Sequence, residues 1–411
     1  MLRPCLTTGL TAGSSGTGAP APAPPGAVAP LGAYVHVPFC RRRCDYCAFA
    51  TWTGLDSLWQ RYVAACAAQA RDVAAFGRPL TSVFFGGGTP SLLPAGFLAE
   101  VLRAVAGSAG LAVGAEVTVE CNPETVTAPK LAAYRDAGVT RLSFGVQSMV
   151  PHVLSSLGRE HDPSSVRRAA ALAGEAGFSG RYSVDLIFGA AGESLADWET
   201  SLESVLALDP APAHVSAYAL TVEPGTPLAK DPSRHPDEDD QAAKYALADC
   251  LLSSAGLYWY EISNWARPGA ECAHNQLYWS QGEYAGVGCA AHSHAVLPDG
   301  RAKRWWNVRT PERYCHLVES GEPAEASGEV LERLERQWEA LMLSLRTRSG
   351  VPASVVPDEL YDDGLVESAS GGAGTTLTLR GRLLANEVAL RLWPDRGSSL
   401  SGLLHEEAAG R

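Results

Sequence analysis

The stretch Tyr34-Val-His-Val-Pro-Phe-Cys40-Arg-Arg-Arg-Cys44-Asp-Tyr-Cys47 decides how the rest of the chain is read. A short apolar run leads into a loop that holds three of the ten cysteines at C-x3-C-x2-C spacing. If cysteines fell independently, this spacing would arise about 0.006 times in a chain of this length and cysteine content. Three thiolates on one loop can hold three irons of a 4Fe–4S cluster. Structural zinc is the other reading, and it needs a nearby fourth Cys or His to close its tetrahedron. None follows Cys47 in the next dozen residues, so one metal position is left open for an external ligand. The other cysteines (Cys5, Cys66, Cys121, Cys250, Cys272, Cys289 and Cys315) are scattered, which suits a reducing, cytoplasmic setting rather than a disulfide scaffold.

Outward from this loop, short apolar runs alternate with Ala-rich helical stretches. Strands are expected at 34–37, 82–85, 116–119, 141–145, 182–187 and 214–220, with helices between them at 57–76, 95–106, 129–137 and 164–176. Strands that alternate with helices of this length imply βαβ units and a parallel sheet. Six units predict an incomplete α/β barrel, a (β/α)6 rather than a closed eightfold one. The acidic run 231–240 reads as a solvated connection, and another helix is expected over 241–260.

Polar residues recur where such strands end, and active sites form there. Gly86-Gly87-Gly88-Thr89-Pro90 closes the second strand, and its glycines allow close backbone approach and leave N–H groups for a ligand. A tight turn is the alternative. Glu120 closes the third strand, Gln147 follows the fourth, Asp185 lies in the fifth, and Arg159 follows the turn after Gln147. Singly, each could be a helix cap or a surface residue.

The cysteine loop after the first strand resembles the radical S-adenosylmethionine superfamily. That resemblance implies that the open iron chelates S-adenosylmethionine, which one electron from the cluster splits into methionine and a 5′-deoxyadenosyl radical. The Gly87–Pro90 segment is similar to the superfamily's GGxTP segment. Together the strand-end residues resemble the coproporphyrinogen-dehydrogenase branch, which implies S-adenosylmethionine contacts at Tyr34, Tyr46, Gly87, Gly88, Thr89, Glu120, Gln147, Arg159, Asp185 and Ala219, with Cys40, Cys44 and Cys47 on the cluster. Two departures bear on activity. Oxygen-independent coproporphyrinogen III oxidases carry a fourth cysteine where this chain has Phe49, and an N-terminal extension where it has an Ala/Pro/Gly-rich leader.

His274-Asn-Gln-Leu-Tyr278-Trp279 resembles the HNxxYW motif of the HemW family of haem chaperones. This implies haem as a third bound group, with His274 as its axial ligand. From the residues alone, a satisfied histidine in an aromatic core is the other reading. His292-Ser-His294 reads as a loop in preference to a chelating pair, and Trp305-Trp306 as packing. Arg41, Arg42 and Arg43 could offset cluster charge, attract an acidic electron donor or meet propionates.

A net charge of −12 argues against nucleic acid as the main partner, and no 18-residue apolar run suggests a membrane span. The leader, 17 of whose 30 residues are Ala, Pro or Gly, is excluded from fold reasoning. The expected domains are a disordered leader over 1–30, a barrel core over 31–260, an irregular aromatic and His-rich segment over 261–327, a winged-helix-like C-terminal α+β domain over 328–395 and a flexible tail over 396–411. The expected function is delivery of haem to an apo-haemoprotein, with a separate electron donor for the cluster. The alternatives are oxygen-independent coproporphyrinogen III oxidation and radical chemistry on an unrelated substrate.

Overall fold

The computed structural model describes residues 29–159, 162–369 and 374–392. The expected leader, apart from Ala29 and Pro30, and the expected tail lie outside these residues. The chain divides into two units, one reaching to Gln337 and one from Trp338 onward.

In the first unit, β1 (Leu31–Val37), β2 (Leu80–Gly87), β3 (Leu111–Cys121), β4 (Arg141–Gln147), β5 (Tyr182–Phe188) and β6 (His214–Ala219) stand side by side in chain order. Each neighbouring pair is parallel. Helices α1 (Trp59–Gln69), α2 (Ala95–Ala109), α3 (Ala128–Ala137), α4 (Pro151–Ser156), α5 (Pro163–Glu175) and α6 (Leu195–Leu206) make the crossovers that parallel strands require. This is the incomplete (β/α)6 barrel expected from the alternation.

The register sorts the strands into two unlike faces. Ala33, Val83 and Val117 lie level, as do Phe144, Val184 and Val215, and all are buried. The alternate positions are mostly polar: Tyr34 and His36 on β1, Thr118 and Glu120 on β3, Ser143 on β4, Asp185 on β5 and Ser216 on β6. A strand places successive side chains on opposite faces, so one face packs on the helices and the other gathers polar groups inside.

The segment expected to be irregular over 261–327 is regular. After α7 (Glu238–Ser254) come β7 (Tyr258–Glu261), β8 (Asn264–Ala266), α8 (Ala273–Trp279), β9 (Glu283–Val287), β10 (His292–Val296), β11 (Ala302–Asn307), α9 (Pro311–Ser320) and β12 (Glu325–Leu331). The sheet runs β12-β11-β10-β9-β1 through β6 to β8-β7. These strands are short and many of their aromatics half-buried, which hides the period of two from a sequence reading. His292 and His294 therefore lie in a strand, not a loop. The acidic run read as a connection starts α7: the Asp237 side chain accepts from the Asp240 N–H at 2.9 Å, and acids in a first turn favour the helix dipole.

The boundary expected at 328 falls inside β12, which pairs with β11 in the large sheet. Helix α10 (Arg333–Leu345) crosses the division between the units. The second unit then holds α11 (Asp358–Asp362), an antiparallel pair β13 (Val366–Ser368) and β14 (Thr375–Leu377), α12 (Leu379–Leu383) and α13 (Ala385–Arg391). The two-stranded wing and its helices match the expected small α+β fold.

Candidate functional site at the barrel mouth

The cysteine loop leaves the C-terminal end of β1 and is tied back by its own backbone. Cys40 N–H donates to the Trp52 carbonyl at 2.9 Å, and Trp52 N–H donates to that of Pro38 at 2.7 Å. Phe39 anchors the turn, buried against Trp59 and Tyr62. Cys40, Cys44 and Cys47 are half-buried, whereas Cys66, Cys121, Cys272, Cys289 and Cys315 are buried. Burial pushes the Cys40 thiol up to about 11, against a hydrogen bond from Thr89. Among the described residues no three His, Cys, Asp or Glu side chains converge as for a single metal ion. A 4Fe–4S cluster does not ask for that, since each thiolate binds a different iron.

The glycine segment serves the loop more than a ligand. Gly87 N–H donates to Glu120 at 3.1 Å, Gly88 N–H to the Val37 carbonyl at 2.8 Å and Thr89 N–H to the Phe39 carbonyl at 2.9 Å. The expectation that these N–H groups stay free for a ligand is corrected: all three are spent inside the protein. A Cβ on Gly88 would stand 2.7 Å from the Phe39 carbonyl and 3.0 Å from Cys40 Sγ. Gly87 sits at φ +113° under the His36 ring, where a side chain is barred twice over.

Behind this segment lie the polar residues of the inner face. Tyr34 and His36 are bonded through Oη and Nδ1 at 3.0 Å, and His36 Nε2 meets the Ala50 carbonyl at 2.9 Å. Burial, then the charge of Asp185, pushes Glu120 up to about 8, against the Gly87 hydrogen bond. Asp185 accepts from Ser143 and Ser216, each at 2.7 Å, so neighbouring strands hold both its oxygens. Gln147 has φ +65°, a rare conformation for a residue with a side chain, and its amide lies over Gly145. Strain of this kind concentrates at functional sites. Ala219 ends β6, exposed.

Arg159 is the clearest sign of an unmet need. It hydrogen-bonds Tyr46 of the cysteine loop, and Tyr46 packs on the apolar cluster around Val153, Leu157 and Leu228. Its Nε is buried without a partner. An orphaned charged donor beside three thiols fits an anionic group held there, such as a carboxylate or the cluster itself. The loop is fixed on this side by a residue that no motif announces. Arg234, in the run read as solvated, donates to Asp45 at 2.9 Å and to the Ser156 carbonyl at 2.6 Å. Leu228 N–H reaches the Asp45 carbonyl at 3.0 Å.

His274 lies elsewhere, at the opposite end of the strands. Helix α8 closes the barrel floor, where His274 stacks on Phe84 at 5.3 Å and underlies Gly32. Its Nδ1 meets Ser82 Oγ and its Nε2 meets Tyr278 Oη, each at 2.9 Å. It is 1% exposed, and burial pulls it down to about 3. An axial haem ligand needs a free lone pair facing a porphyrin-sized opening; His274 has neither here. Both ring nitrogens are thus partnered in this structure, the arrangement of the core histidine that the residues alone allowed. Glu116 caps the helix, accepting from the N–H groups of Ala273 and His274, each at 3.2 Å.

Comparisons with known proteins bear on this arrangement. Residues 34–205 match the family model of the Radical SAM superfamily. The chain is 40% identical over 381 residues to the "Heme chaperone HemW" of Mycobacterium tuberculosis, spanning 88% of this chain and 95% of that protein. It is 38% identical to the protein of the same name from Escherichia coli, over 74% of this chain and 81% of that one. Among solved structures, the coproporphyrinogen III oxidase HemN of Escherichia coli superposes with a TM-score of 0.74 at 22% identity, covering 89% of this chain and 90% of that one. At that identity the likeness is one of fold.

Proposed function

The chain belongs to the HemW family of the radical S-adenosylmethionine superfamily, and from that premise we propose that it is a haem chaperone that hands haem to an apo-haemoprotein. The observation that carries the reading is the near full-length relation to proteins bearing that name. Phe49 at the position of the oxidases' fourth cysteine supports it over coproporphyrinogen oxidation.

In this reading Cys40, Cys44 and Cys47 hold a 4Fe–4S cluster and the barrel mouth holds S-adenosylmethionine. When bound, the pair supplies one-electron reductive chemistry that side chains lack. The residues of the chain bind and orient. Arg159 offers its orphaned Nε to an anionic group, and Tyr46 fixes the direction of that guanidinium. Gly88 keeps a Cβ atom away from the cysteine loop, and Gly87 keeps one away from the His36 ring. Glu120, largely neutral near pH 7, can donate as well as accept at a ligand, while Gln147 and Asp185 complete the polar wall. Electron supply comes from a separate donor. Work in the cytoplasm is part of this reading, supported by the three free thiols of the cysteine loop. Among the described residues, no helix is long and apolar enough to cross a membrane.

The test is anaerobic cluster reconstitution, followed on the same sample by haem titration and a coproporphyrinogen III turnover assay. The expected result is a Soret band that saturates with haem, no decarboxylation, and passage of haem to an added apo-haemoprotein. Sustained protoporphyrinogen production with no Soret band would replace the chaperone with the oxidase.

A further inference from the structure

We propose that His292, at the start of β10, is the axial ligand for haem, with the Trp306 ring steadying its imidazole and Arg309 meeting a propionate. The inference rests on the haem-chaperone reading above and supplies the iron ligand that reading lacks once His274 is taken up in the floor. Of the ten histidines, all but His161 and His405 lie among the described residues. Most of these are committed. His36, like His274, bonds through both ring nitrogens. His214 is buried against Tyr260, and His294 is buried with its Nδ1 at the Gly282 carbonyl, 2.9 Å away. His235 Nε2 meets the Leu228 carbonyl at 3.2 Å, and His152 faces Asp197 at 3.4 Å. His316 is exposed on α9 with no ring against it. His292 is exposed, has a ring against it, and among the described residues neither of its nitrogens has a hydrogen-bond partner.

The antiparallel pairing of β10 with β11 sets this residue. His292 stands opposite Trp306, and their rings stack at 5.5 Å with 29° between the planes. An axial imidazole stands upright on a porphyrin, so a ring stacked on its side restricts its rotation without occupying the place of the iron. Trp305, the next residue of β11, points to the other side of the strand and stacks on Phe76 at 6.4 Å. The tryptophan pair read as packing is therefore divided: Trp305 packs, and Trp306 backs an exposed imidazole. Partial burial, then the charge of Arg304, pulls His292 below its ordinary 6.5, which keeps it in the neutral form whose lone pair binds iron.

The anionic edge of haem has a partner nearby. Arg309 is exposed, and among the described residues it makes no ion pair. A guanidinium meets a carboxylate with two parallel N–H groups, which suits a propionate. His36 feels the charges of both Arg309 and His292, so the two share one neighbourhood, on the side of the barrel where the cysteine loop leaves β1. A single protein ligand at an exposed position also suits delivery. It leaves the opposite face of the porphyrin open to a ligand from an acceptor. On transfer the bond from His292 to iron breaks as the acceptor's bond forms, the iron keeps its oxidation state, and no proton moves.

The experiment titrates ferric haem into the reconstituted full chain and follows the Soret region as a difference spectrum, with electron paramagnetic resonance of the haem iron on the same samples. The wild type should give the spectra of a histidine-ligated haem. His292→Ala should weaken binding at least about tenfold and shift both spectra. Cluster absorbance near about 400 nm, read before haem is added, should be that of the wild type. Free imidazole at millimolar concentration should restore the wild-type spectra, a rescue that a merely structural role would not give. Arg309→Gln should weaken binding about threefold and leave the spectra as they are. His316→Ala, which removes another exposed histidine, should bind as the wild type does. Unchanged spectra and affinity in His292→Ala overturn the proposal, and so does a loss that imidazole fails to restore. Failure of the chaperone reading would show itself separately, as a wild type that gives no Soret band at all.

Discussion

The two ends of the barrel's inner face are built from similar residues and finished in opposite ways. At the floor, His274, Ser82 and Tyr278 satisfy one another, and Phe84 covers the ring. At the mouth, Arg159 keeps a buried donor without a partner, Gln147 holds a strained backbone, and three thiols stand half-buried. A satisfied polar cluster rigidifies a core, whereas an unsatisfied one costs free energy unless something else completes it. Polar residues inside a barrel are therefore not all one site. By that measure the His274 cluster is complete, although Arg141 Nη2 and His214 Nδ1 at other strand starts are buried without partners, whereas the mouth sets its unpartnered Arg159 Nε beside three thiols.

The largest expected effect separates the two ends directly. Replacing any of Cys40, Cys44 or Cys47 by alanine should abolish most of the absorbance near 400 nm after reconstitution, while Cys121→Ala and Cys289→Ala should keep it. Gly88→Val belongs with the first group: its side chain would strike the Phe39 carbonyl and Cys40 Sγ, so cluster content should fall severalfold. An intact cluster in Gly88→Val would break the claim that this glycine serves the loop.

At the floor, His274→Ala should cost about 2–4 kcal/mol, because it leaves a cavity and two unpaired hydroxyls. Thermal melting reads that loss. Haem titration of the folded variant should give an unchanged Soret spectrum, and a shifted spectrum would return His274 to the haem site.

The ends should also respond oppositely to pH. Burial raises Glu120 to about 8 from the ordinary carboxyl value of 4.5, so the folded state holds a proton that the unfolded state has lost. That contribution to stability is full below about 4.5 and declines as pH rises to about 8. His274 is lowered to about 3 from 6.5, so its contribution is full above about 6.5 and declines as pH falls toward 3. Melting temperatures of the unloaded protein should show both slopes. Glu120→Gln should flatten the upper one and His274→Gln the lower one, with the other slope untouched in each case.

The smallest effect sharpens the account of how the mouth is held. Arg234→Met removes a partly exposed ion pair with Asp45, worth about 1 kcal/mol or less. Stability should barely change, but the cluster should be lost to a chelator faster than in the wild type. Equal rates would mean that the loop needs no clamp.

Much of this fold is legible in the sequence, and for identifiable reasons. Strand and helix periods are local, so β1 to β6 stand close to where the alternation puts them. Covalent spacing is local too, so three cysteines within eight residues announce a shared site. Strand-end placement brings Glu120 and Gln147 toward the mouth, and Arg159 reaches it from the turn after α4. The regular strands between 261 and 327 are harder to read, because edge strands of a few half-buried residues carry little period. Saturation of hydrogen bonds is not legible at all. That His274 is satisfied depends on Ser82, 192 residues away, and that Asp45 is held depends on Arg234, 189 residues away. A sequence states which groups are present and how the nearest are spaced. Only the packed chain decides which of them already have partners, because partners are chosen by proximity in space, and that is settled when the strands align.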